Sequence, residues 1–152
     1  MPALLVVHHT TSPATQELLE AALDGTKADG VEGVEVVVRP ALAATASDVL
    51  GADGFLLGTP ANIGYMSGAL KLFFDTVYYP TLTAKQGAPY GLWVHGNNDT
   101  SGAVRAVESI AKGLGWQQVH QAVTVTGGVT KDDREAVWEL AATVAATVSG
   151  AL

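Results

Sequence analysis

The sequence predicts a three-layer α/β domain built on a five-stranded parallel sheet. Three observations carry this. Short apolar runs alternate along the chain with segments of helical period, which is the pattern of successive strand-helix-strand crossovers. The first run, Ala3-Leu4-Leu5-Val6-Val7, is continuously apolar, as a strand covered on both faces must be. The alternation continues without an internal repeat, a low-complexity tract or a long linker, so residues 1–152 read as one domain, long enough to bury a core without staples.

The elements follow in order. After the first strand, Ser12 is placed as an N-cap with Pro13 at the first helical position, and Leu18, Leu19, Ala22 and Leu23 form the buried stripe of a helix ending near Asp24-Gly25. Val34–Val38 is the second strand, closed by Arg39-Pro40, and a short helix lies around Ser47–Leu50. Gly54–Gly58 is the third strand, which Thr59-Pro60 should stop. Its helix spans about Ser67–Tyr79, with Leu70, Phe73, Phe74 and Val77 inward and Pro80 as terminator. Tyr90–Val94 is the fourth strand. Ser101 should cap a fourth helix carrying Val104, Val107, Ile110, Ala111 and Leu114. Val119–Val125 alternates as an edge strand would, and Thr130 with Asp133 opens a fifth helix by a capping box. The tryptophans Trp93, Trp116 and Trp138 are assigned to packing.

Composition narrows the chemistry. A formal charge of −7 without any Lys/Arg cluster argues against nucleic acid and anionic membranes as partners. The absence of cysteine removes a thiol nucleophile, a thiolate metal site and a redox disulfide together, and accords with a reducing cytoplasm. No apolar run approaches the roughly 20 residues of a membrane span, and Met1-Pro2-Ala3 lacks the basic start of a secretory signal. The expectation is a cytoplasmic protein.

Three loops fall at the carboxyl ends of strands, where open α/β sheets bind ligands. The first, His8-His9-Thr10-Thr11-Ser12-Pro13-Ala14-Thr15, offers hydroxyls and backbone N–H groups at a helix N-terminus, where the dipole favours an anion. It is neither a P-loop nor a GxGxxG turn, and by itself it reads equally well as a capped helix after a polar turn. The second runs from Gly58 through Thr59-Pro60-Ala61-Asn62-Ile63-Gly64 to Tyr65-Met66-Ser67, with Gly64 permitting backbone that a side chain would not. The third is His95-Gly96-Asn97-Asn98-Asp99-Thr100-Ser101-Gly102, whose amides and carboxylate suit a polar heterocycle edge; taken alone it is an ordinary Asn/Gly turn.

Together these loops resemble the flavodoxin-like superfamily, and within it the FMN-dependent NAD(P)H oxidoreductases that include quinone reductases. Thr10-Thr11-Ser12-Pro13-Ala14-Thr15 stands at the family's hydroxyl-rich phosphate loop. Gly58-Thr59-Pro60 to Gly64-Tyr65-Met66, followed by Lys71-Leu72-Phe73-Phe74-Asp75, is close to its G-T-P-x-x-x-G-x-M stretch. The resemblance implies a flavodoxin-like fold of strand order 2-1-3-4-5 with FMN across the ends of the first, third and fourth strands. Thr10, Ser12 and Thr15 would then hold the phosphate, Pro60, Ala61, Asn62, Ile63 and Gly64 would wrap the isoalloxazine, and Asn97, Asn98 and Asp99 would meet the pyrimidine edge. His9, Thr11, Thr59, His95 and Gly96 complete the candidate cofactor-binding set.

The implied activity takes electrons from NAD(P)H, as co-substrate, through FMN to a quinone, a flavin or another small acceptor. The cofactor carries that chemistry, so no catalytic side chain and no metal ligand is assigned. The alternatives are a flavodoxin-type electron carrier without NAD(P)H turnover and a flavin-free binding domain on the same scaffold. Two departures from the family pattern stand out: Pro13 replaces a glycine and removes an N–H donor, and Ile63 stands where an aromatic often stacks on the flavin. Among the histidines, His8 and His9 should point to opposite faces, His120 is read as structural, and His95 is a candidate to protonate a quinone oxygen or steady flavin charge. Tyr78-Tyr79-Pro80 should place aromatics near the ligand rim, as core and turn or as a contact between subunits of a homo-oligomer.

Overall fold

A computed structural model describes residues 1–152. Parallel strands β1 (Ala3–His8), β2 (Glu35–Pro40), β3 (Gly54–Asn62) and β5 (Pro89–Gly96) form the centre of one sheet. Its far edge is shared by β6 (Gln117–Gln118) and β7 (Val123–Thr126), and a short β4 (Tyr65–Met66) turns back on β3. The order is β2-β1-β3-β5-β6, with β7 also on β5. In five sheet positions this is the expected 2-1-3-4-5 arrangement, the last position being split.

The split has a countable cause. Gln118 pairs with Tyr90 and Val123 with Trp93, so four residues, 119–122, stand opposite two, Gly91 and Leu92. The surplus leaves the ladder, so of the strand expected over Val119–Val125 only the part from Val123 pairs, in β7, while β6 lies ahead of it at Gln117–Gln118. His120 lies in that excursion, exposed, with its Nδ1 2.7 Å from the Gln121 carbonyl.

Helices α1 (Pro13–Gly25), α2 (Ala46–Leu50), α3 (Gly68–Val77), α4 (Ser101–Gly113) and α5 (Lys131–Ser149) cover both faces. Side chains alternate across a strand, so Leu5, Val7, Phe55, Leu57, Leu92 and Val94 pack with α3 and α4. Leu4, Val6, Leu56 and Trp93 pack with α1 and α5. On the first face the Trp116 ring stacks on Phe55 at 3.9 Å between centroids. On the second, Gly91 leaves room for Leu140 and Val144 of α5, and Gly58 for the Trp93 ring. Trp138 is the most exposed of the three tryptophans, 41% exposed where it borders α1. No helix is long and apolar enough to cross a membrane.

Several element boundaries differ from the sequence reading: β2 includes Arg39-Pro40, α3 ends at Val77, and two more bear on the site. β3 runs through Thr59-Pro60 to Asn62 instead of stopping at Gly58. The Gly58 carbonyl accepts from His9 N–H on the β1 side, and alternation turns Pro60 to that same side, beyond the end of β1. Its missing N–H therefore deprives no neighbour. The N-cap of α4 is Thr100, without a side-chain bond, in place of Ser101. The Asp99 carboxylate accepts the Ser101 N–H at 2.9 Å and takes over the local capping role.

Candidate functional site

The first loop is organised by a capping box that the sequence only half reveals. Ser12 Oγ accepts the Thr15 N–H, and Thr15 Oγ1, 4% exposed, accepts the N–H groups of Thr11 and Ser12, both at 3.0 Å, while donating to the Ser12 carbonyl. Thr15 thus holds the loop from inside. His8 Nδ1 lies 2.8 Å from Thr10 Oγ1, and burial, followed by the charge of His9, holds the His8 imidazole below its ordinary pKa. His9 Nδ1 is buried without a partner.

The second loop is a β-hairpin. Ala61 pairs with Met66 and Asn62 with Tyr65, leaving Ile63 and Gly64 as a two-residue connection with φ of 49° and 73°. Positive φ at both positions is the type I′ pattern, whose twist matches that of the flanking strands. Thr59, buried, supports the hairpin's return: its hydroxyl accepts the Ser67 N–H at 3.0 Å and donates to the Pro60 carbonyl. Ser67 then caps α3 through Leu70 N–H.

The third loop leaves β5 after Gly96. His95, 9% exposed, lies two residues beyond Trp93 and so faces the α1/α5 side, with its Nε2 2.7 Å from the carbonyl of Gly127 in the β7–α5 connection. Asp99 is exposed, and its hydrogen bonds with Ser101, side chain first and then backbone, hold its carboxyl below the usual range.

These segments meet in a cleft of about 470 Å³ at the carboxyl ends of β1, β3 and β5, lined by Thr11, Ser12, Pro13 and Ala14, by Pro60, Ala61 and Asn62, by His95, Gly96 and Asn97, and by Gly127. Eight of the candidate positions are therefore brought together: Thr11, Ser12, Pro60, Ala61, Asn62, His95, Gly96 and Asn97. His9, Thr15 and Thr59 lie behind the wall as its support and Thr10, half-buried, is tied to His8, while Ile63 and Gly64 form the hairpin tip and Asn98 and Asp99 the outer turn. Sequence reading missed Gly127. Its signal was available in the Gly127-Gly128 pair between the last strand and the Thr130 cap.

A larger groove, about 630 Å³, runs between α1 and α5 past Glu17, Glu20, Arg134 and Trp138, and none of its lining residues belongs to the three loops. It lacks the converging backbone of the first cleft. The Tyr78-Tyr79 pair is also remote from the site. A helix that follows a parallel strand runs back along it, so α3 ends at the opposite end of the sheet, where the Tyr78 hydroxyl meets Gly113 at the end of α4. The expected aromatic ligand rim is thus not formed.

The cleft fits a planar ring bearing an anionic tail. At one end, hydroxyls and the unbonded Ala14 N–H at the start of α1 suit a phosphate. At the other, Gly96 sits so close to Ala61 that an added Cβ would lie 3.3 Å from the Ala61 methyl, leaving a shallow, side-chain-poor surface.

Comparison with known proteins gives a family and a fold. The family model described as NADPH-dependent FMN reductase matches residues 20–130. A flavodoxin of Aquifex aeolicus is 38% identical over 77 residues, 51% of this chain and 40% of that protein. A geranylgeranylglyceryl phosphate synthase of Spirosoma linguale is 28% identical over 129 residues, 83% of this chain and 51% of that protein. The chain thus spans about half or less of both curated relatives, whose names describe longer proteins. Among solved structures, a flavodoxin, WrbA-like protein from Agrobacterium tumefaciens superposes with a TM-score of 0.79 at 20% identity, covering 97% of this chain and 98% of that one. That likeness establishes the flavodoxin-like fold.

Proposed function

The chain belongs to the NADPH-dependent FMN reductase family, and from that membership we propose that it binds FMN in the β1/β3/β5 cleft and passes electrons from NAD(P)H to a small acceptor such as a quinone or a flavin. The observation that carries this reading is the composition of the cleft wall. None of the eleven lining residues is a Phe, Tyr or Trp, the one ring being the His95 imidazole tied to Gly127, and Tyr65, 41% exposed, lies on the outer strand of the hairpin instead of in the wall. A ring seated there keeps a face free for a second planar group, as exchange with nicotinamide and acceptor requires.

FMN, when bound, supplies hydride acceptance and onward electron transfer. The chain's own residues bind and orient. Thr11, Ser12 and Ala14 would hold the phosphate, Pro60, Ala61 and Asn62 the ring, and Asn97 its polar edge, with Gly96 and Gly127 admitting the ligand close to backbone. Thr15 and Thr59 keep the first two loops in shape from behind. We place this turnover in the cytoplasm, in keeping with a chain without cysteine.

The test is direct. The purified protein is titrated with FMN, and the complex is mixed anaerobically with NADH or NADPH. The expected result is saturable binding with a perturbed visible spectrum, then bleaching by one or both nucleotides. Binding without bleaching would favour the carrier reading, which the net charge of −7 and the similarity to a flavodoxin support as the second choice. Absence of binding would leave only a flavin-free domain.

A further inference from the structure

The phosphate end of the cleft is short of positive charge and of donors. Of the first-turn N–H groups of α1, those of Ser12 and Thr15 are consumed by the capping box, Pro13 has none, and only that of Ala14 remains. No lysine or arginine lines the cleft. His95 is the single titratable side chain among the residues that line the cleft. Its Nε2 is fixed against the Gly127 carbonyl, an acceptor, so Nε2 carries a proton. Nδ1 has no protein partner and is not among the polar atoms sealed from solvent.

We propose that His95 is the cationic partner of the FMN phosphate: the neutral imidazole takes up a proton at Nδ1 as the phosphate docks, and Nδ1–H faces the anion while Nε2–H stays on Gly127. The one bond formed is Nδ1–H, its proton given up by hydronium from solvent, and no other covalent bond changes. The inference rests on the FMN reading above and adds a charge that a hydroxyl loop alone does not supply.

The surroundings permit it. β3 and β7 carry no titratable residue, and neither does the Gly127–Thr130 connection. Asp99, on the loop that follows His95, is exposed and bonded to Ser101. The first loop brings His8, disfavoured as a cation by burial, and His9 beside it. On α1, Glu17 is 3.6 Å from Arg134 of α5. On α5 itself, Lys131 pairs with Glu135, Asp133 is held in the Thr130 capping box, and Asp132 is exposed. On α4, Arg105 acts on Asp99, and Glu108 and Lys112 follow further along the helix, none of them lining the cleft. No carboxylate lines the cleft to compete with a phosphate for the imidazolium.

Riboflavin, which has the ring and ribityl chain but no phosphate, separates the two readings. The His95 imidazole is titrated by NMR in the free protein and with saturating FMN or riboflavin, its signal being identified by its loss in His95→Asn. Bound FMN should raise the His95 midpoint by about one unit or more, equivalent to about tenfold in affinity between the two protonation states, and riboflavin should not. His95→Gln should bind FMN about tenfold more weakly near pH 6.5, with riboflavin affinity unchanged. Wild-type protein that binds FMN without moving the His95 midpoint overturns this inference and leaves the FMN reading intact. Failure to bind either flavin overturns both. The wild-type titration decides the matter even if the variants do not fold.

Discussion

The carbonyl oxygen of Gly64 occupies the place that a Cβ on Gly102 would take. The hairpin tip after β3 thereby rests directly on the first turn of α4, and two of the three site loops are locked together through a residue without a side chain. Gly102→Ala should destabilise the protein by about 1–3 kcal/mol through overpacking, although alanine is the better helix former by about 1 kcal/mol. Gly68, at the start of α3, has open space where its Cβ would be, so Gly68→Ala should be neutral or slightly stabilising. Urea midpoints of the two variants, shifted in different directions or only for Gly102, would bear out the contact. Equal shifts would refute it.

Ile63 is β-branched, has a φ of 49° and is fully exposed at the turn tip. A type I′ turn favours Asn, Asp or Gly at this position, and a branched residue there stores about 1–3 kcal/mol of strain. No apolar burial offsets it. Ile63→Asn should therefore raise stability by about 1 kcal/mol, read as a higher urea midpoint at unchanged slope. A lower midpoint would mean that the side chain makes contacts the free protein does not show.

Local chemistry was legible in most places where one segment decides the outcome, the start of α4, where Asp99 displaces Ser101, being an exception. The Thr130–Asp133 box, the Ser12 cap, the Ser67–Leu70 start of α3 and the apolar runs of both sheet faces all follow from residues within a few positions of one another. What escaped depends on two segments at once. Thr59-Pro60 continues β3 because β1 ends beside it, and the edge strand breaks because its spacing exceeds that of β5 by two residues. Gly102 and Gly127 acquire meaning only from what approaches them. Tyr78-Tyr79 lies away from the site for a different reason, since a helix runs back along the strand it follows and carries its last residues to the opposite end of the sheet. In the site, the converging backbone was foreseen, whereas the division between wall and support was not, because a hydroxyl such as that of Thr15 looks the same in sequence whether it faces a ligand or its own loop.

That division makes Thr15 testable without any ligand. Thr15→Val keeps the shape and removes the acceptor of two loop N–H groups. Leaving such donors unpaired costs about 1–3 kcal/mol, so the ligand-free protein should lose about 2 kcal/mol in urea unfolding, and Thr15→Ser should recover most of it. Thr10→Ala, which gives up only the bond to His8 Nδ1, should lose less than about 1 kcal/mol. A ligand-free Thr15→Val protein as stable as wild type would return Thr15 to the role of direct phosphate ligand.

His8 sets a pH dependence whose sign is fixed. Burial first, and the neighbouring His9 charge second, lower its folded pKa below the ordinary value of 6.5. Between those two values the unfolded chain binds more protons than the folded one, so stability rises with pH. The contribution is complete above about 6.5, declines as pH falls through the interval and levels off below the folded value. Asp99 acts elsewhere: its carboxyl, held below 3.8 by its bonds with Ser101, contributes stability that is lost only in stronger acid. Urea unfolding of the ligand-free protein at about pH 7.5 and pH 5 therefore isolates the histidine. The wild type should be less stable at the lower pH, and His8→Gln, which cannot charge, should show a smaller difference. An equal difference in both proteins would show that the first loop accepts an imidazolium at His8 as readily as water does.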